Sequence, residues 1–288
     1  MDLDLGDVVN HRDGTRSISM DLEGIRSARS LIQSGNLKTS NGNDNLFARF
    51  LRAAVEAHDD GRLERMERLY RRKILESAPR IRRVGELNIE VLGPVTTRET
   101  GSPRLAVFPD PHDVSPTNPE PAPSESHTIN GNSIVLKLTY GSRTFLFGGD
   151  LNQPSQHYLE AKYQGANPFR ADVNKACHHG SSDFDIRFLK SVEPSATVFS
   201  SGDNGSYDHP MPDAMGSAAR HSRGDYPLVF STELARDNKT SGDILLGHIN
   251  ARCNGRALVM AQRKEKAGSG LEWHTFSVPY EGPFGGGH

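Results

Sequence analysis

The sequence lacks the features that define several common protein classes. It has 2 cysteines in 288 residues, too few for a disulfide framework or a cysteine-rich zinc site. It has no run of about 18 apolar residues that could cross a bilayer, and its acidic start, Met1–Asp4, has no apolar signal segment. We therefore expect a cytoplasmic protein that does not enter a membrane.

The charge of the chain is also close to neutral, since 34 Lys and Arg face 36 Asp and Glu for a net charge of −2. This balance excludes a strongly basic nucleic-acid coat and an acidic solvating tail. The chain does contain 28 glycines and 17 prolines, which predict many turns and long loops. Its length suits one large domain or two small ones.

Residues 1–83 are the first segment of the chain, and a resemblance to larger members of the family that is identified below implies a variable, helix-rich stretch here. Apolar residues at spacings of three and four indicate helices across 44–77, which begin at a cap on Asp44 and are interrupted at Asp59–Gly61. The second of these helices has a basic outer face that consists of Arg62, Arg65, Arg68, Arg71, Arg72 and Lys73. We expect this face to be solvated, and a phosphate-binding surface is the alternative.

Residues 84–280 read as a layered arrangement of strands and helices, and residues 281–288 as a flexible tail. Alternating apolar residues predict a strand at 87–91, and the proline-rich stretch 94–132 is predicted to be a loop. The further predicted strands are 133–138, 144–147, 171–176, 196–200 and 228–231; the helices are 154–163, 184–192 and 210–223; a hairpin joins 244–249 to 257–261 around Asn254–Gly255.

Three motifs place ionisable residues just after predicted strands, where ligand sites of α/β folds usually lie. The motifs are Gly148–Asp150, His178–Ser181 and Tyr207–Pro210. Taken alone, the aspartate can bind a metal, act as a base or cap the next helix, and each histidine can be an ordinary surface residue. Together, one carboxylate and two histidine sites within 60 residues favour a metal-binding constellation.

Six short motifs follow one another along the chain: Asn132–Leu136, Phe145–Asp150, Ala171–Val173, His178–Ser181, Val192–Pro194 and Tyr207–Pro210. In this order and spacing they resemble the C-terminal half of a metallo-β-lactamase-fold hydrolase, in the subgroup that contains the soluble domain of ComEC-type DNA-uptake proteins. The resemblance covers roughly residues 84–262.

The resemblance implies an α/β fold, a partial αββα sandwich preceded by an N-terminal helical segment. It also implies one or two zinc ions, or manganese, bound by Asp150, His178 and His209. Asp150, His179 and His209 are the implied catalytic residues, although for His209 the roles of ligand, substrate contact and proton donor stay open. The implied substrate is a phosphodiester or related ester, nucleic acid included.

The family's principal ligand motif, His-x-His-x-Asp-His, is absent, since none of the 12 histidines forms it. We therefore expect weak or absent hydrolysis by this chain alone, with a partner chain supplying the missing N-terminal lobe. The alternative is a catalytically inactive scaffold or interaction protein, from a truncated or split gene. Cys177 has two interpretations: it is a redox-sensitive or metal-binding thiol, or it is a buried apolar residue at the end of a strand.

Overall fold

The fold is known from a computed structural model, which describes most of the chain. The described residues are 8–10, 16–19, 22–35, 37, 42–74, 80–97, 103–114, 119, 121–164, 166–202, 207–234, 244–245, 247–263 and 273–280. The predicted flexible tail, 281–288, lies outside them.

Within these residues the structure contains helices and strands in mixed order along the chain. The helices are α1 (Ile25–Ser34), α2 (Leu46–Asp59), α3 (Glu125–Gly131), α4 (Gln153–Lys162), α5 (Ile186–Val192) and α6 (Pro212–Arg220), with a 3-10 turn at Cys177–Gly180. The strands are β1 (Val8–Asn10), β2 (Arg16–Ser19), β3 (Arg80–Val84), β4 (Leu87–Gly93), β5 (Arg104–Ala106), β6 (Val135–Tyr140), β7 (Arg143–Phe147), β8 (Val173–Lys175), β9 (Ala196–Phe199), β10 (Leu228–Ser231), β11 (Glu233–Leu234), β12 (Ile244–Leu245), β13 (Ile249–Cys253), β14 (Leu258–Arg263) and β15 (Trp273–Ser277).

A seven-stranded sheet organises the fold, with strand order β10-β9-β8-β7-β6-β4-β3. Strands β3, β4, β6 and β7 pair antiparallel, whereas β7, β8, β9 and β10 pair parallel. Because parallel strands end at the same edge of a sheet, the segments that follow β7, β8 and β9 emerge side by side. These are the segments that carry the three sequence motifs.

Both faces of this sheet are covered. On one face, side chains of the sheet pack with α4 and α5 around Leu146, Leu159 and Phe188, all at most 2% exposed. On the other face, Val173 and Phe230 pack with Leu258 and Met260 of the three-stranded sheet β13-β14-β15. The protein is therefore a mixed α/β sandwich, which confirms the predicted fold class.

Local sequence explains why several elements begin and end where they do. The hairpin β6–β7 turns at Gly141–Ser142, as predicted, and Gly141 has the positive φ of 57° that this turn requires. Helix α4 begins at Asn152, whose side chain accepts a hydrogen bond from the backbone N–H of Ser155. Helix α5 begins in the same way at Asp185, which accepts from Arg187.

The prediction for 62–74 was wrong, because helix α2 ends at Asp59 and the next segment has no helix. Here Arg71 is 5% exposed, donates to the Ile74 carbonyl and lies 5.2 Å from the Tyr163 ring centroid. The predicted basic face therefore does not exist as one surface, because Arg71 is buried whereas Arg62 pairs with Asp60 on the surface. The helix cap was also misassigned: Asn45, not Asp44, caps α2.

Two further corrections concern the loop and the last hairpin. The stretch 94–132 contains β5 and α3, where a loop was predicted. The hairpin around Asn254–Gly255 joins β13 to β14, whereas β12 pairs with β11. Among the described residues, no helix combines the length and apolar character needed to cross a bilayer.

Candidate functional site

The turn after β7 holds Asp150 at the edge of the sheet. Gly149 has φ of 61°, and a Cβ added there would lie 2.7 Å from the Cβ of Ser133, so the turn needs glycine. The backbone N–H of Asp150 donates to the Ser133 hydroxyl over 3.0 Å. The Asp150 side chain remains 39% exposed, so its carboxylate can meet a ligand.

The 3-10 turn after β8 carries the two adjacent histidines in an uncommon backbone conformation. His178 has φ of 47° and His179 has φ of 53°, in the left-handed region that few non-glycine residues adopt. Asp208, beside His209, has φ of 55° as well. Such conformations cost free energy and are held by surrounding structure, and they cluster at functional sites.

His179 is the histidine that meets the carboxylate. Its Nε2 lies 3.3 Å from Oδ1 of Asp150, and its Nδ1 lies 2.5 Å from the carbonyl oxygen of Ser200. Because a carbonyl only accepts, Nδ1 carries a proton, and the lone pair of a neutral ring is then on Nε2, facing the carboxylate. The contact is therefore favourable only when a proton or a cation lies between Nε2 and the carboxylate.

Lys175 also lies at this edge and was not singled out by the sequence. Its ammonium lies 3.8 Å from Oδ1 of Asp150 and donates to the carbonyl of Gly149 over 3.3 Å. The lysine ends β8 on the strand next to β7, so the pairing of the two strands brings it to Asp150. It gives the carboxylate a positively charged neighbour.

His178 and His209 meet each other through their rings. The centroids are 5.9 Å apart in an edge-to-face arrangement, and the Tyr207 ring stacks on His209 at 5.8 Å. Burial lowers the pKa of His178, the charge of Asp150 opposes that shift, and His209 adds to it. Within the described residues, Nδ1 of His178 is buried without a hydrogen-bond partner.

Next to these groups, a second histidine–carboxylate contact lies at the start of α3. Nε2 of His127 lies 3.1 Å from Oδ2 of Asp183, three residues beyond Gly180, and Nδ1 of His127 lies 3.1 Å from the Ser124 hydroxyl. His127 was not identified from the sequence, because α3 lies within the stretch that was predicted to be a loop. Asp183 was not identified either.

Cys177, the first residue of the 3-10 turn, lies behind the turn that carries Asp150. A Cβ added to Gly148 would lie 2.5 Å from its sulfur, so the thiol packs against the backbone of the Asp150 turn. Burial raises the pKa of this thiol to about 12. Cys177 is partly buried and packs against the apolar core, which favours its interpretation as an apolar packing residue.

The donor set fits a metal ion only in part. Zinc bonds of about 2.0–2.2 Å at tetrahedral angles put two ligand atoms about 3.3 Å apart, and the Asp150–His179 contact has that length. A carbonyl on the other ring nitrogen is also the usual support of a metal-binding histidine. In the described parts of the chain, however, no three His, Cys, Asp or Glu residues are grouped closely enough to hold an ion.

The predicted ligands Asp150, His178 and His209 thus reach one edge of the sheet, and their metal and catalytic assignments stay predictions. Around Asp150 itself, the groups that sequence reasoning missed are Lys175 and the Ser200 carbonyl. Both lie at ends of parallel strands, and this position was the signal that could have identified them.

Comparison with known proteins relates part of the chain to bacterial competence proteins. The chain is 31% identical over 112 residues to ComE operon protein 3 of Bacillus subtilis, covering 38% of this chain and 13% of that protein. It is 38% identical over 91 residues to competence protein ComA of Neisseria gonorrhoeae, covering 31% of this chain and 13% of that protein. No family model matches the chain.

Proposed function

We propose that this chain provides one side of the active site of a metal-dependent hydrolase that cleaves a phosphodiester or related ester. We further propose that the chain is impaired on its own. The observation that carries the proposal is the contact between Nε2 of His179 and the carboxylate of Asp150, with Nδ1 of His179 held by the Ser200 carbonyl. A bound metal ion, like a proton on Nε2, would remove the unfavourable approach of a lone pair to a negative oxygen.

The remaining donors must then come from elsewhere. Catalytic zinc usually has three protein ligands and one water, and the described residues offer no group of three. The motif His-x-His-x-Asp-His, which is absent from the sequence, would complete the set on a partner chain. When bound, the ion would be zinc or manganese, and it would polarise the ester and activate water.

The chain's own residues have separable tasks in this proposal. Lys175 places a positive charge beside the Asp150 carboxylate, and His179 directs Nε2 toward the same oxygen. His178, His209 and Tyr207 form a wall of adjacent rings whose polar atoms can contact an anionic substrate or hold a proton for the leaving group. A role in competence is supported by the names of the two partial relatives, and nucleic acid as substrate is supported by the resemblance of the motifs.

The test measures metal binding and hydrolysis separately. Equilibrium dialysis with zinc and with manganese gives the affinity, and bis(p-nitrophenyl) phosphate reports phosphodiester cleavage. We expect weak binding that Asp150→Ala and His179→Ala each reduce at least tenfold, the usual scale for a lost ligand or support. Asp59→Ala is the matched control, since this exposed aspartate also neighbours a histidine, 3.6 Å from His58.

Turnover should be weak in the isolated chain and rise when a polypeptide carrying the His-x-His-x-Asp-His lobe is added. No metal binding and no turnover, with or without that lobe, would contradict the proposal.

The alternative function is a non-catalytic scaffold, and the partial donor set favours it. It predicts that Asp150→Ala and His178→Ala leave the biological activity of the protein unchanged. Loss of that activity in either folded variant would exclude the scaffold.

A further inference from the structure

Behind the histidine turn lies a small, mostly apolar cavity with a few polar side chains in its lining. Its volume is about 30 Å³. It lies between the carboxyl ends of β8 and β9, the 3-10 turn, and helices α5 and α6. Its lining includes Asn174 and Thr197 on the strands, Gln156 on α4, and Cys177 and Gly180 on the turn.

Two polar side chains in the wall are buried without partners. Asn174 is 2% exposed and Thr197 is 1% exposed. Across the described residues, neither Oδ1 of Asn174 nor Oγ1 of Thr197 has a hydrogen-bond partner. The third buried polar side chain, Gln156, is already engaged, because it donates to the Leu151 carbonyl and accepts from the N–H of Asp185.

The sheet brings the two unpartnered groups together. Asn174 and Thr197 are paired residues of the parallel strands β8 and β9. Their neighbours Val173 and Val198 pack on the small sheet, so Asn174 and Thr197 point to the opposite face, toward the helices. Two adjacent side chains thus present an amide and a hydroxyl to the same cavity.

Leaving both groups without partners would be costly. A buried polar atom without a hydrogen bond destabilises the folded state, because it has lost its bonds to water and gained none. A water molecule needs about 10–15 Å³ and two to four polar partners, and a cavity of about 30 Å³ with an amide and a hydroxyl meets both conditions. An apolar ligand would leave both groups unsatisfied.

We propose that this cavity is a binding site for one internal water molecule, held by Asn174 and Thr197. The water donates one hydrogen bond to Oδ1 of Asn174 and makes a second with the hydroxyl of Thr197. The site is independent of the proposed hydrolase function, since neither side chain belongs to the candidate metal set.

The sign of a stability change tests this proposal. Thr197→Val removes the hydroxyl and keeps the shape. If the cavity holds a water bonded to Thr197, the unfolding equilibrium constant should rise about fivefold, the scale of one lost hydrogen bond. If the cavity is dry, the variant removes an unsatisfied hydroxyl, and the constant should stay the same or fall.

Controls separate this effect from those of side-chain shape and strand propensity. Thr197→Ser keeps the hydroxyl and so retains the water. Thr139→Val makes the same exchange at a partly exposed position of β6 and reports the strand propensity of valine. The double variant Thr197→Val/Asn174→Leu removes both partners of the water. It should lower the free energy of unfolding by less than the sum of the losses for Thr197→Val alone and Asn174→Leu alone.

A high-resolution crystal structure gives the direct observation. We expect one ordered water within hydrogen-bond distance of both side chains. An empty cavity, a direct bond between Asn174 and Thr197, or a more stable Thr197→Val variant would each overturn the proposal. Hydrolase activity plays no part in these measurements, so this proposal and the proposed function can fail independently.

Discussion

Asp172 lies at the centre of a buried charge network at the end of the sheet opposite the candidate site. Its Oδ1 lies 3.0 Å from Arg223 and 3.6 Å from Arg143, and its Oδ2 accepts from the backbone N–H of Thr144 over 2.8 Å. The side chains of Asp172, Arg143 and Arg223 are at most 9% exposed. One carboxylate therefore compensates two guanidinium groups with little help from solvent.

We expect Asp172→Ala to lower the free energy of unfolding by about 3–5 kcal/mol, the cost of breaking a buried ion pair from one side. The loss comes from two uncompensated cations and an unpaired N–H at Thr144. Asp172→Asn keeps the shape and one acceptor, so about 1–3 kcal/mol is expected. The effect should extend to the end of the chain's described part, because Arg143 also donates to the carbonyls of Val278 and Pro279.

Urea denaturation followed by circular dichroism measures these differences, and hydrogen exchange at the amides of Val278 and Tyr280 reports the local effect. Glu67→Ala is the control, since Glu67 and its partner Arg65 are both more than half exposed, and such pairs contribute about 0–1 kcal/mol. A loss for Asp172→Ala no larger than that of the control would refute the reasoning that the network is buried and coupled.

Three further results are expected. Phe188→Ala should cost about 3–5 kcal/mol in urea denaturation, because Phe188 is 1% exposed, whereas Ile186→Ala on the same helix, at 48% exposed, should cost little; equal losses would contradict the assigned core. At pH 8, iodoacetamide should modify Cys177 more slowly than Cys253, since its surroundings raise the pKa of the Cys177 thiol to about 12; comparable rates in the single-cysteine variants would contradict the raised pKa. His178 should titrate below pH 6.5 in proton NMR, because burial lowers its pKa. The folded state then binds this proton more weakly than the unfolded state, so the His178 contribution to stability is complete above pH 6.5 and is lost as the pH falls; an ordinary or raised pKa would contradict it.

The sheet and the helices that cover it could be predicted because their signals are local. The hairpin β6–β7 has alternating apolar residues around Gly141–Ser142. Helices α4 to α6 each start at a cap or a proline, and α5 and α6 also bury apolar residues four positions apart. The segment 62–74 could not be predicted in this way. Its spacing suits a helix, but Arg71 finds a carbonyl and the Tyr163 ring in the core, and this tertiary contact overrides the local preference.

The meeting of the three motifs at one sheet edge was also predictable, since each follows a strand and parallel strands end together. What the sequence left open is which of two adjacent histidines faces Asp150. The resemblance favoured His178 as ligand, whereas the ring in contact with the carboxylate belongs to His179. A pattern of residue types contains no information on this choice.

The backbone conformation determines which of the two histidines contacts Asp150. Both histidines have positive φ, so the chain turns tightly between β8 and Gly180, and the two rings leave in different directions. One ring then meets Asp150 and the Ser200 carbonyl, and the other meets His209. If the contact with Asp150 defines the ligand, His179→Ala should weaken zinc binding more than His178→Ala does. A larger loss with His178→Ala would instead support the assignment made from the resemblance, and would mean that the Asp150–His179 contact rearranges when the ion binds.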